Sequence, residues 1–178
     1  MANTYDKIAT VTAGVGGTSS IDFTSIPSLH TDLKIHLSLR SNASSSFVNE
    51  SIKLQINSDT TYSNYRSMRA YGDGATSGTD VPGTSSYNGI YLCYVNTDGY
   101  TASSFGNAIL YFPNYAGSSQ KTILADGASE TASATAYMSI MAGIWYNTAA
   151  ITSLSIKPLN GSLWKQYSTA TLYGIKNS

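Results

Sequence analysis

The clearest signal along the chain is strict alternation of apolar and polar residues. In Leu33-Lys-Ile-His-Leu-Ser-Leu-Arg40 the odd positions are Leu, Ile, Leu and Leu, and the even ones are Lys, His, Ser and Arg. Successive side chains of a strand point to opposite faces, so this run predicts a strand with one flank buried and one, carrying His36, in water. Residues 51–57 repeat the pattern with Ile52, Leu54 and Ile56 inward, and the two runs are expected to pair across the Ser-rich loop 42–46. Ahead of them, residues 7–15 read as a strand, Gly16-Gly17 as a turn and residues 19–23 as the hairpin partner. Further on, residues 90–95, 107–112 and 121–125 are short runs rich in β-branched and aromatic side chains, bounded by Gly, Asn, Asp or Pro. Residues 150–156 and 166–175 close the series, separated by the turn Pro158-Leu-Asn-Gly161.

Two segments are less regular. In 135–146, Ala136, Met138, Ile140, Ala142 and Ile144 alternate as in a strand, while Tyr137, Ile140, Met141, Ile144 and Trp145 fall on a helical stripe. Gly143 and the Thr and Tyr neighbours favour a strand, expected to be buried on both faces with Trp145 in the core. Residues 71–88 are punctuated by Gly72, Gly74, Gly78, Pro82 and Gly83, and Gly89 follows. So long an excursion either carries function or packs on a partner, or else it is a flexible loop. The total is about ten short strands, with turn signals recurring about every 8 to 15 residues and no helix. That spacing predicts a single all-β domain over residues 1–178, an antiparallel β-sandwich of jelly-roll type.

Composition narrows the function. Charged residues are 11% of the 178, with ten basic and ten acidic side chains, whereas soluble domains average about 25% charged. The 28 Ser and 20 Thr make the surface polar without making it ionic. Hydrophobic content of 42% excludes a disordered chain, and the balanced charge argues against a nucleic-acid partner. No run is apolar for the roughly 18 residues a membrane helix needs, and no secretory signal is read at the N-terminus. Cys93 is alone, so no disulfide framework or cysteine metal site is expected, and synthesis in a reducing cytoplasm is.

Catalytic motifs are missing from the pattern. There is no Gly-x-Ser-x-Gly elbow, and Gly14-Val-Gly-Gly17 suits a hairpin better than a phosphate loop. His30 and His36 have no acidic partner at a triad spacing. Of the acids, only Glu50 and Glu130 are Glu; most of the eight Asp sit in turn contexts, where the carboxylate bonds nearby amides. A calcium site from Asp59, Asp73 or Asp80 would use loop carboxylates, but no EF-hand or nonapeptide pattern accompanies them. No cofactor is called for. The aromatics say more: 14 Tyr is a large share, grouped as Tyr62, Tyr65 and Tyr71 and as Tyr87, Tyr91, Tyr94 and Tyr100. Tyr is enriched at interfaces, though it also fills strand faces. The candidate contact residues are Tyr62, Tyr65, Tyr71, Tyr87 and Trp164.

Several phrases together resemble a known group. They are Ile21-Asp-Phe-Thr-Ser-Ile-Pro27, Leu54-Gln-Ile-Asn-Ser-Asp59, Asn64-Tyr-Arg66, Phe105-Gly-Asn107, Phe112-Pro-Asn-Tyr115 and the ending Ser168-Thr-Ala-Thr-Leu-Tyr-Gly-Ile175. Their order over nearly the whole chain resembles small β-sandwich or jelly-roll structural proteins of tailed bacteriophages, of head-decoration, neck and tail-fibre type. Where that pattern often has Asn-Gly-Asp, this chain has Asn57-Ser-Asp59, which keeps a turn. The resemblance supplies no catalytic residues. It implies a virion component made in the host bacterial cytoplasm: a homotrimeric capsid decoration (cement) protein on neighbouring major capsid subunits. The alternative is a receptor- or carbohydrate-binding tail-fibre tip, with Trp145, Trp164 or loop tyrosines stacking on host glycans. A glycan depolymerase would need two carboxylates facing across a cleft, and Glu is scarce.

Overall fold

A computed structural model describes residues 4–44, 50–81, 88–130 and 136–176. Over these residues the chain forms twelve strands and one turn of 3-10 helix, Tyr62–Asn64. The strands are β1 Tyr5–Thr12, β2 Ile21–Phe23, β3 Asp32–Leu39, β4 Glu50–Ile56, β5 Tyr65–Gly72 and β6 Ser77–Asp80. They continue as β7 Ile90–Val95, β8 Gly106–Phe112, β9 Lys121–Glu130, β10 Ala136–Trp145, β11 Leu154–Pro158 and β12 Thr169–Ile175. All pair antiparallel, in a sheet ordered β1-β12-β3-β8-β9-β10-β5-β6 and a smaller one ordered β2-β11-β4-β7.

The pairing is nested. β1 lies beside β12, β2 beside β11, β3 beside β8, and β4 beside β7. The chain thus doubles back once as a long two-stranded ribbon, and successive rungs of that ribbon fall in opposite sheets. This is the jelly-roll order, in which two Greek keys interleave. Two hairpins are added to it. β9-β10 follows β8, β5-β6 follows β4, and both extend the larger sheet beyond β8.

Inward-facing positions of both sheets interdigitate as one core that includes Leu33, Ile35, Leu37, Ile52, Leu54, Ile56, Leu110, Phe112, Ile156 and Leu172. The inward positions of 33–40 and 51–57 are buried as expected, and His36 and Ser38 are exposed, but the expected wet flank is lost at Ser51 and Gln55 of β4, which are buried too. Small residues let β7 approach the added hairpin: a Cβ on Gly127 would lie 2.8 Å from Cys93 Cβ.

Several expectations are corrected. Residues 21–23 do not return beside β1; they belong to the other sheet, and the turn at Gly16-Gly17 crosses between sheets. β3 and β4 are not neighbours, because β12 and β8 flank β3 while β11 and β7 flank β4. The closing strand expected over 150–156 begins at Leu154 and includes Pro158. Segment 136–145 is a strand, but only one face is buried. It carries Ser139, Met141 and Trp145 inward, and the apolar set Met138, Ile140, Ala142 and Ile144 lies on the opposite, outer face. β5 and β6 were not expected as strands at all, and Arg40, expected in water, is buried.

Candidate functional site

Of the five predicted contact residues, Tyr65 and Trp164 are taken into the core, Tyr62 and Tyr71 lie apart on β5 and the turn before it, and none joins the others in one site. Tyr65 is only 1% exposed, and its hydroxyl donates to the Asp59 carbonyl at 3.0 Å. Burial pushes its phenol up to about 12. Trp164 is fully buried, with its indole N–H donating to the Ile156 carbonyl at 2.9 Å. Neither can meet a partner while this fold persists. Tyr62 is exposed in the 3-10 turn just before β5, and Tyr71 is half-buried toward the far end of that strand, edge-on to Tyr94 with centroids 6.1 Å apart. Tyr94 in turn carries the Arg69 guanidinium 3.9 Å over its ring, and Arg69 pairs with Asp80 at 2.6 Å. Tyr71 therefore belongs to a packed aromatic and cationic cluster. Tyr87 lies outside the described residues. The candidates do not form one surface.

The acids are equally committed. Asp59 accepts the Trp145 indole N–H, the Asn64 amide and the Thr61 backbone N–H, each at 2.8 Å. Burial alone would raise its carboxyl, but these bonds outweigh burial and hold it below the usual carboxylate value. Asp73 accepts the Ala75 and Thr76 amides of its own turn, and Asp80 pairs with Arg69. The buried Glu50 accepts the amides of Leu159, Asn160 and Gly161, fixing the turn after β11. Glu130 accepts the Thr101 hydroxyl at 2.5 Å. Among the described residues no three His, Cys, Asp or Glu side chains gather as a metal site. Every one of these carboxylates has a local donor to satisfy it, so each has a structural reason to be where it is.

What the fold does bring together is aliphatic. The outer face of the larger sheet divides in two. Over β1, β12 and β3 it is hydroxylated and charged, with Thr10 bonded to Thr171 and Thr12 to Thr169, each at 3.1 Å, and the His36 ring edge-on to Tyr173. Over β9, β10 and β5 its middle is apolar, bordered by exposed polar side chains at Asn107 on β8, Thr122 and Glu130 on β9, Arg66 on β5 and Ser77 and Thr79 on β6. Register places Leu124, Ala142 and Met68 side by side on β9, β10 and β5, with Ile140 and Ala70 paired in the next row and Met138 beyond. Ile140 is 70% exposed and Met68 63%. Shallow depressions of about 410 and 270 Å³ lie on this face, between Met68, Val81, Ala142 and Ile144 and between Leu124, Ile140 and Ala70. Asp126 lies within it, set directly across from both Ile109 and Ile140.

Five strands about 4.8 Å apart and four outward rows about 6.8 Å apart give this half of the sheet roughly 400 Å², with the aliphatic set at its centre. An apolar patch of up to that size matches the largest on an ordinary soluble monomer, and such patches are often interaction sites. It is about half of what one partner contributes to a standard interface, so a polar rim must supply the rest. The period-two apolar set at 136–145 was the available sequence signal. It names residues that share a face without saying which face meets water.

No protein-family model matches the chain, and no similar curated protein or solved structure was found. Relatives therefore supply nothing toward function, and the reading rests on the sequence motifs, the sandwich and this face.

Proposed function

We propose that this chain is a non-enzymatic structural subunit of a tailed-bacteriophage virion. Its role is that of a capsid decoration protein which binds as a homotrimer across neighbouring major capsid subunits and stabilises the head. The observation that carries the reading is the exposed aliphatic face of β9, β10 and β5, a surface built for permanent docking and not for turnover. Three further features support it. The jelly-roll frame is rigid and antiparallel, both tryptophans serve the core, and the carboxylates a hydrolase would need are bonded to local donors. Zero formal charge also lowers the repulsion between copies packed side by side. Docking removes the aliphatic face from water, and the gain is returned as resistance of the shell to internal pressure.

Light scattering of the purified protein is expected to give about three times 18.9 kDa. Added to decoration-free capsids, the protein is expected to raise the temperature at which DNA is released. A monomer that leaves the release temperature unchanged overturns the proposal. In the alternative tip-domain reading, the burial of Trp145 and Trp164 leaves glycan stacking to surface tyrosines.

A further inference from the structure

Six non-glycine residues among those described have φ in the left-handed region: Ser25, Asn57, Ser58, Ser103, Asn114 and Tyr167. Five are Ser or Asn, whose short polar side chains tolerate that geometry; Tyr167, at φ 74°, is the exception. It occupies the third position of the turn Lys165–Ser168, closed by the Ser168 N–H on the Lys165 carbonyl at 3.0 Å. Gln166 has no positive φ, so the turn is of type II and its third position is the one that favours glycine. The Tyr167 amide is pinned to the Ala13 carbonyl at 3.0 Å, yet its side chain is 66% exposed and adds nothing to the core. Glycine would serve the fold better. A bulky residue held in a costly conformation with its ring in water points to a role outside folding.

The ring borders a cavity of about 420 Å³ that Arg40, Asp98, Ser103, Phe105, Lys165 and Gln166 also line. The opposite wall is a second turn of the same kind, Thr101–Ser104, closed at 3.1 Å with Ser103 at φ 62°. Beneath both, the buried Arg40 guanidinium donates to the carbonyls of Tyr100, Thr101 and Ser104 and to Asp98, which makes the floor rigid. Lys165 Nζ reaches both Asp98 oxygens, at 2.8 and 2.9 Å. Two cations face one carboxylate, so the cavity carries one net positive charge.

We propose that this cavity is a binding site for a carboxylated sugar. The apolar face of the sugar ring stacks on Tyr167, its hydroxyls meet the Gln166 amide and the Ser103 hydroxyl, and its carboxylate meets Lys165. The volume falls within the range of small-molecule sites. Tyr167 offers the open aromatic face, and with the half-buried Phe105 and the mixed polar groups around it this lining suits a saccharide. The unbalanced charge selects the acidic kind, because a charge-assisted bond to Lys165 is stronger than a neutral one. The site shares no residue with the aliphatic face described above and does not depend on the virion reading.

The test uses the whole chain, with sodium glucuronate as probe and glucose as the neutral comparison, read by saturation-transfer NMR. Transfer to the glucuronate ring protons is expected, with several-fold less to glucose. Tyr167→Gly is expected to abolish transfer and to raise the melting temperature, since glycine adopts this φ freely. Tyr167→Phe is expected to retain transfer. Silence with both sugars, or unchanged transfer in Tyr167→Gly, overturns the site, and equal transfer to glucose overturns the acidic selection. A lower melting temperature in Tyr167→Gly would show that the ring supports the fold and would remove the argument from strain.

Discussion

Replacing Ile140 by lysine sets one ammonium in the middle of the exposed aliphatic face without disturbing the core beneath it. Ile140 is 70% exposed, and full burial of such a side chain is worth about 1.5–3 kcal/mol, so roughly 1–2 kcal/mol of burial is still to be gained on docking. The substitution forfeits that gain and requires the ammonium to be desolvated or bent aside. Together these weaken docking by about 2–4 kcal/mol, on the order of 30- to 1,000-fold in affinity. The isolated fold should not suffer, because the ammonium lies directly across from Asp126, a cross-strand pair worth about 0.2–1 kcal/mol. The assay is co-sedimentation with decoration-free capsids beside thermal melting of the free protein, with Thr10→Lys on the hydroxylated half as the control. Ile140→Lys should lose co-sedimentation and keep its melting temperature, while Thr10→Lys keeps both. If Ile140→Lys binds as well as the parent, or if both variants lose binding alike, the aliphatic half-face is not where docking occurs.

Asp59→Ala is expected to destabilise the fold by about 1–3 kcal/mol, since it strips the buried Trp145 indole N–H of its acceptor; urea unfolding followed by tryptophan fluorescence measures this, and a loss below about 0.5 kcal/mol would mean that the bond is dispensable. The same carboxyl sets an acid limit. Its folded value is held below 3.8, so the stability it contributes is present above that pH and fades as the pH falls further. An alkaline limit comes from tyrosine. Tyr65 and Tyr100 are pushed up to about 12 by burial, and Tyr111 to about 12 chiefly by its bond to the Asp32 carboxylate. A raised phenol leaves the fold intact below pH 10, the ordinary value, and costs stability as the pH climbs through 12. Tyrosinate absorbance should therefore show a late component that appears together with loss of the circular-dichroism signal; a single smooth titration near pH 10 with the fold intact would contradict it.

Most strands were legible in the residues themselves, because period-two alternation is a local property of an extended chain and needs no knowledge of neighbours. Leu33 to Leu39 and Ile52 to Ile56 show it fully. β5 was missed because its inward positions are Tyr65, Ser67 and Arg69, so burial there falls on polar side chains, and the Arg69 guanidinium is satisfied only by folding, by Asp80 across the hairpin and by the Leu92 carbonyl of β7. Trp164 and Tyr65 looked like contact residues for a related reason. Both sit among polar neighbours in the chain, and only their acceptors, Ile156 and Asp59, reveal a core position.

The residues alone settled that the chain is extended, hydroxyl-covered, weakly charged and organised into short antiparallel strands, since each of these follows from side chains within a few positions of one another. Which strands lie side by side, and on which flank water is found, was decided by closure of the whole ribbon. β3 pairs with β12 across more than a hundred residues, and the apolar row of β10 faces out because its other row already fills the space against β7. Local alternation is unchanged when a strand is turned over, so the aliphatic face and the Tyr167 cavity exist only as consequences of that long-range packing.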